Sequence, residues 1–398
     1  VTDLVRNGGN TIGVLMGNGW YNHQSVAVWD YETAPWRHRP SFCLDLRITY
    51  EDGTVQTVIS DKTWKTHLSE IVFNNIYTAE HTDGRLAMGK WSEPGYDDSG
   101  WSNVKLTVSP SETIVARQMR PVRDVDTLKA VSVTKLSDKD YIFDFGQNIS
   151  GVTELRIKGE RGMTVSLKHG EFLKDNGHVS TENIDYFYHS DTLKEPFATD
   201  IFTLGGNGDE SFRQRFGYKG FRYVEASIDR PAVLDENNLT AYFVHSDIPT
   251  KGHIHTSSEI INKLWKASCY SYLSNLVGYP TDCPQREKNG WTGDTNAAMD
   301  LGFYNYDPIT VYEKWMDDHK DAQLPNGVYP NIIPSPGWGY DWANGTDWTS
   351  TNIAVPWKTW LFYGDDHLLR SMYGNMKAYM DYIERTYPEG LTDWGLGD

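Results

Sequence analysis

The chain has 398 residues, 39% hydrophobic and 23% charged, and its 37 basic against 54 acidic side chains leave a net charge of −17. A single core stops growing near roughly 250–300 residues, so at least two domains are expected. An acidic surface repels phosphate backbones and anionic lipid, and no apolar run approaches the roughly 20 residues of a membrane helix, so neither nucleic acid nor a membrane is an expected partner.

Cys43, Cys269 and Cys283 are too few and too scattered for a disulfide framework or a zinc cluster. The twelve histidines form no HExxH pair, and the glycine-rich phosphate loops of nucleotide enzymes do not occur. No metal and no cofactor are therefore expected. The sequence opens on Val1 rather than Met, with no signal peptide in view, and the compartment (cytoplasm, periplasm or secretion) stays open.

Up to about residue 248 the pattern is short alternating runs broken by turn signals. Examples are TIGVLMG (11–17), FCLDLRITY (42–50) before EDG, VQTVIS (55–60), TELRIKG (153–159) before ERG, and MTVSLKHG (163–170). Alternation of period two with such punctuation predicts strands, and strands recurring this way predict β-sandwiches. The aperiodic, proline-bearing stretch 117–124 separates two β-units, 1–120 and 121–248, and a second boundary falls at 245–252.

From 249 to 398 the period becomes helical. Residues 257–279 place Ile261, Leu264, Trp265, Tyr272 and Leu276 at helical spacing, with Ser257 or Ser258 as the N-cap. The stretches 292–306, 308–323, 351–364 and 365–387 read as further helices, joined by loops rich in aromatics, Gly and Pro. No repeat of 20–50 residues is evident, which argues against a solenoid.

The densest polar stretch is the loop TDCPQREKNGWTGD (281–294), which gathers Asp282, Arg286, Glu287, Lys288 and Asp294 around Trp291. Pro280 and Pro284 stop the preceding helix, so an ordered loop is expected. Thr292 is placed to cap the next helix, with Asp294 in its first turn. Carboxylates, an arginine and an indole at helix ends suit a sugar: the charged groups hold hydroxyls and the indole offers a flat apolar face. A solvated turn whose charges pair with one another is the competing reading. A second cluster, GWGYDWANGTDWTS (337–350), brings Trp338, Trp342 and Trp348 into one loop, with Trp357 and Trp360 after it. Either a core plug or carbohydrate stacking accounts for it. GNGWY (17–21), Trp29 and Trp36 are expected to pack within the first β-domain.

The motif DCPQREKNGWTGD closely resembles the signature loop of the bacterial α-L-rhamnosidases of glycoside hydrolase family 78. NTIGVLMGNGWY is similar to that family's N-terminal β-domain, YIFDFGQNISGVTELRIKG and FGYKGFRYVEA to its concanavalin-like sandwich, and KWMDDHKDAQLPNGVYPNIIP and TDWTSTNIAVPWKTWLFYGD to its helical barrel. The resemblance implies two β-sandwich domains followed by the first half of an (α/α)6 six-hairpin barrel. It implies a hydrolase that releases terminal α-L-rhamnose from a glycoside or polysaccharide with inversion. Inversion requires an acid and a base about 6.5–9.5 Å apart. The motif implies Glu287 as the general acid, Asp282, Arg286 and Asp294 as hydroxyl-binding groups, and Trp291 and Trp348 as aromatic walls.

In that family the base is a glutamate in the second half of the barrel, beyond Asp398. The resemblance therefore implies a chain truncated at both ends, the rest of the barrel coming from another chain or region, and a 398-residue piece inactive by itself. Faces carrying Trp357, Trp360, Leu361 and Tyr379 would then be uncovered. Two alternatives are another helical-barrel exo-glycosidase of the α-L-fucosidase type and a carbohydrate-binding protein without turnover.

Overall fold

The structure is a computed structural model that describes residues 1–24, 28–109, 111–185 and 196–392; the last six residues of the expected barrel half lie outside this range. The N-terminal region supplies β1 (Asp45–Thr49), β2 (Val55–Ile59), β3 (Lys65–Thr66), β4 (Ile71–Asn75), β5 (Ala79–Asp83) and β6 (Ser102–Asn103). The central region supplies β7 (Val122–Lys129), β8 (Ser132–Lys135), β9 (Asp140–Lys158), β10 (Thr164–Gly170), β11 (Phe172–Leu173), β12 (Val179–Ser180), β13 (Thr199–Thr203), β14 (Asp209–Arg213), β15 (Lys219–Ile228) and β16 (Leu239–Ser246).

The expected alternation builds the central core. Along β10, Val165 and Leu167 point inward, joining Phe143, Leu155, Phe202, Phe221, Val224 and Leu239. β9 is long enough to serve both ends of this core. Its first half pairs with β8 and the end of β15, its second half with β16 and β14, so the strands run continuously in the order β4-β5-β13-β10-β15-β9-β16-β7.

The N-terminal region is organised differently from its expected self-contained β-unit. β1–β2 and β3–β6 are separate small ladders, while the β4–β5 hairpin joins the central sheet through a parallel pairing of β5 with β13. A buried polar network fastens that junction. Glu80 accepts the backbone N–H groups of Arg215 and Phe216, and its own N–H donates to Asp200, which is ion-paired with Lys219 at 2.7 Å. Burial, aided by the Asp200 charge, pushes the Glu80 carboxyl up to about 7. The run 11–17 forms no strand and has no ladder partner among the described residues. It is held by other contacts: a side chain at Gly13 would strike the Trp91 ring, one at Gly17 the Phe216 ring, and Asn18 is bonded twice to Asn74.

The helical region contains α1 (Glu259–Ser274), α2 (Thr292–Asn305), α3 (Ile309–Ala322), the short α4 (Thr346–Thr349), α5 (Thr351–Tyr363) and α6 (His367–Thr386). The four helices expected after α1 form within two residues of their predicted ends. None of the described helices is long and apolar enough to cross a membrane. Their core holds Trp315, Met316, Tyr312, Tyr329, Val355 and Met372.

Three details differ from the sequence reading. Ser258 occupies the N-cap of α1 without a side-chain bond; Asn262 instead reaches back to both backbone groups of Thr256. Only the later turns of α1 pack, through Cys269 and Tyr272, while Ile261 and Leu264 are exposed. Trp357, Trp360 and Leu361 are exposed as anticipated, but Tyr379 is buried, its hydroxyl 2.8 Å from that of Thr349.

Candidate active site

The loop between α1 and α2 is built by its own backbone and side chains. Asp282 and Asn289 close it: Asp282 N–H donates to the Asn289 carbonyl, and Asn289 N–H donates back to Asp282 Oδ1, both at 2.9 Å. The Cys283 thiol donates to Asp282 Oδ2, and Glu287 N–H donates to Cys283 Sγ. Gly290 is obligatory, because a Cβ there would lie 2.0 Å from the Ile333 carbonyl oxygen. That close approach lets the Ile333 N–H reach the Gly290 carbonyl. Thr292 does not cap α2. It is already inside the helix, and its hydroxyl and N–H both donate to the Asn331 carbonyl.

Neighbouring charged residues face opposite ways. Lys288 adopts φ 57°, in the left-handed region, and is only 1% exposed. Its ammonium donates to the carbonyls of Ile76 and Tyr218 and lies over the Tyr218 ring, so it bolts the loop to the β-region. Burial holds its amine well below the usual lysine range. Glu287 turns the other way and is 8% exposed. Its Oε2 accepts two indole N–H bonds at 2.8 Å, from Trp291 and from Trp29, and its Oε1 lies 3.5 Å from Arg286 Nη2.

Around this carboxylate the indoles of Trp29, Trp291, Trp338 and Trp342 form a connected set. Trp29 stands edge-on to Trp291 at 5.3 Å and contacts Trp338 at 5.3 Å and Trp342 at 5.8 Å. Asp282 is partly buried, and its carboxyl is raised well above the usual range, first by burial and then by the charge of Glu287, with a further contribution from Asp294. Asp294 sits in the first turn of α2, as predicted. Trp348 packs its ring over Gly293 and makes no ring contact with the four-indole set among the described residues. Among these residues no cluster of three or more His, Cys, Asp or Glu is arranged to hold a metal. A separate open cleft of about 620 Å³, lined by Trp20, Arg213, Tyr218 and Tyr279, includes none of residues 281–294, and its carboxylate Asp124 is already paired with Arg213.

Residues 1–126, 134–245 and 249–398 match, in order, the bacterial α-L-rhamnosidase N-terminal, concanavalin-like and six-hairpin glycosidase domain models. The chain belongs to the bacterial α-L-rhamnosidase family. An α-L-rhamnosidase of Formosa agariphila is 31% identical over 100% of this chain and 42% of its own length, and one of Streptomyces avermitilis 31% over 98% and 37%. The chain thus spans about 40% of the curated relatives it matches. The crystal structure of the Streptomyces avermitilis α-L-rhamnosidase complexed with L-rhamnose superposes with a TM-score of 0.84 at 31% identity, covering 92% of this chain and 34% of that one. The α-L-rhamnosidase from Dictyoglumus thermophilum gives 0.81 at 31%, over 87% and 38%.

Within this member of the rhamnosidase family, the loop brings Asp282, Arg286, Glu287 and Trp291 together. Sequence reasoning missed Trp29, which was assigned to packing inside the first β-domain and instead touches Glu287. Trp36 was misplaced likewise: its indole donates to the Ser335 carbonyl, while the Tyr31 hydroxyl donates to that of Pro334. The physical reason is that the 3-10 turn Val28–Thr33 docks on the 331–345 loop of the helical region. Trp29 and Asp30 adopt left-handed φ values of 70° and 60° in that turn, a costly backbone for non-glycine residues that tends to mark functional sites. The nearest sequence signal was the excess of tryptophans in two distant loops, 29–36 and 338–348.

Proposed function

We propose that this chain forms the acid side of an inverting glycosidase that releases terminal α-L-rhamnose, with Glu287 as general acid. The observation that carries the reading is a single buried carboxylate set among indoles and an arginine, on a loop in a six-hairpin domain of this family. Glu287 is the only carboxylate between Arg286 and Trp291, which favours it over its neighbours. Rhamnose as the sugar is supported by the names of the relatives. Asp294, partly buried beside this loop, and the exposed edge of Arg286 would take hydroxyls. Asp282, whose two oxygens already accept from Asn289 and Cys283, would combine that role with shaping the loop. The apolar face of Trp291 would meet the ring or its methyl group. Trp348 would wall the far side of α2's first turn.

Glu287→Gln tests the acid role in a full-length protein that carries the second half of the barrel. Hydrolysis of alkyl or glycosyl rhamnosides, whose leaving groups need a proton, should fall by about 10²–10⁴-fold. Activated aryl rhamnosides should lose far less. Equal loss on both classes would remove Glu287 from that role. A second reading, sugar binding without turnover, is favoured by one feature: two indole N–H donors already occupy Oε2 of this carboxylate. Tight rhamnose binding with no hydrolysis of either substrate class would select it.

A further inference from the structure

We propose that Trp29, delivered by the N-terminal region, is a positioning residue that makes Oε1 of Glu287 the proton-carrying oxygen. The inference rests on the acid reading above and adds which oxygen works and what holds it. A carboxylate oxygen offers two in-plane lone pairs. On Glu287 both lone pairs of Oε2 are taken, one by the Trp291 indole N–H and one by that of Trp29, each at 2.8 Å. No site for a proton is left there. Oε1 is 3.5 Å from Arg286 Nη2, beyond the usual range of an N–H···O bond, so it keeps a lone pair for the proton.

The proton on Oε1 passes to the glycosidic oxygen as the bond from the anomeric carbon to that oxygen breaks and its electron pair stays with the leaving group. Water bonds to the anomeric carbon and surrenders a proton to the base that inversion requires. Glu287 is left as a carboxylate, and its new charge is met by two indole donors already in place. Because the donors strengthen their bonds as charge develops, they favour the transition state over the protonated ground state.

The two tryptophans arrive by different routes. Trp291 lies four residues from Glu287 on the same loop, whereas Trp29 lies 258 residues away. Its placement depends on the docking of 28–36 onto the helical region, through Trp338 Nε1 to the Trp29 carbonyl, Tyr31 to Pro334 and Trp36 to Ser335. The site is therefore assembled across the β-region and the helical region, and the hydrogen bond reports that docking.

The test compares Trp29→Phe, Trp291→Phe and Trp36→Phe with the wild type. The carboxyl titration of Glu287 is followed by carbon NMR in side-chain-labelled protein, with Glu287→Gln assigning the signal. N–H donors favour the charged form, so losing one should raise the titration midpoint by about one pH unit. Trp29→Phe and Trp291→Phe should each do so, and Trp36→Phe, which loosens the same segment without touching Glu287, should not. In turnover, Trp29→Phe should move the basic limb of the pH profile upward and lower kcat on poor leaving groups with little change in KM. An unmoved midpoint in Trp29→Phe, or an equal shift in Trp36→Phe, overturns the proposal. Because the titration is read without turnover, a full-length protein carrying the rest of the barrel that hydrolyses no rhamnoside while the Trp29→Phe midpoint still moves overturns the acid reading instead.

Discussion

Two segments meet at Glu287, and they could hardly be read more differently. The loop 281–294 is contiguous and closed by its own bonds, Asp282 to Asn289 and Cys283 to Asp282, so its residue types and spacing already describe its shape. The segment 28–36 has no such internal logic. It lies in a 3-10 turn with two left-handed residues and takes its conformation from the carbonyls of Pro334 and Ser335 and the indole of Trp338. The contrast teaches that a site's local half is set by neighbours in sequence, and its distant half by a surface that exists only after folding.

That comparison can be broken from the loop side first. Gly290→Ala forces a Cβ to within 2.0 Å of the Ile333 oxygen, so the loop or the segment 331–333 must shift. A loss of about 3 kcal/mol in denaturant unfolding is expected, at the upper end of overpacking costs, together with loss of the bond from Ile333 N–H to Gly290. A variant as stable as the wild type would show that the loop does not depend on this approach.

The bolt between the loop and the β-region comes next. Lys288→Met keeps the apolar stem but leaves the carbonyls of Ile76 and Tyr218 without this donor, at a cost of about 2 kcal/mol. Its predicted signature is a lower Tm with an unchanged m-value. An unaltered Tm would mean that those carbonyls find other donors.

A third effect, spread over pH, concerns the N-terminal junction and sharpens the comparison. The Glu80 carboxyl is raised to about 7 in the folded protein, above its ordinary value near 4.5, so the folded state binds more protons than the unfolded state between those values. Stability conferred by Glu80 is therefore full below about 4.5 and is lost as pH rises through 7. The slope is at most about 1.4 kcal/mol per pH unit. Measured against Glu80→Gln, the wild type should lose relative stability from pH 5 to pH 7. His169 and His319, held neutral by burial with values near 4, work the other way, costing stability as pH falls from 6.5 toward 4. They are common to both proteins and cancel in the difference. A difference flat with pH would show that Glu80 is not held protonated at this junction.

Much of the fold was legible. Period-two alternation placed β1, β2, β9 and β10, and helical spacing placed α2, α3, α5 and α6, because one face of each element must find an apolar partner. Where that partner is absent the pattern misleads. Ile261 and Leu264 keep helical spacing yet stay exposed, and residues 11–17 alternate without joining a ladder because Gly13 and Gly17 pack backbone against aromatic rings. Tyr379 was read as uncovered, yet packing against the α3–α5 core and a hydroxyl contact with Thr349 bury it.

By itself, then, the sequence determined the succession of β-rich and helical regions and an ordered polar loop at 281–294, while Glu287 was singled out within that loop only by the family resemblance. The regions and the loop depend on interactions within a few residues, which composition and spacing encode directly. Only the tertiary structure decided that β4–β5 extends the central sheet, that Lys288 turns away from Glu287, and that Trp29 rather than Trp348 stands against that carboxylate. Each of those is a contact across tens to hundreds of residues, and its energy depends on two surfaces meeting, which no local pattern records.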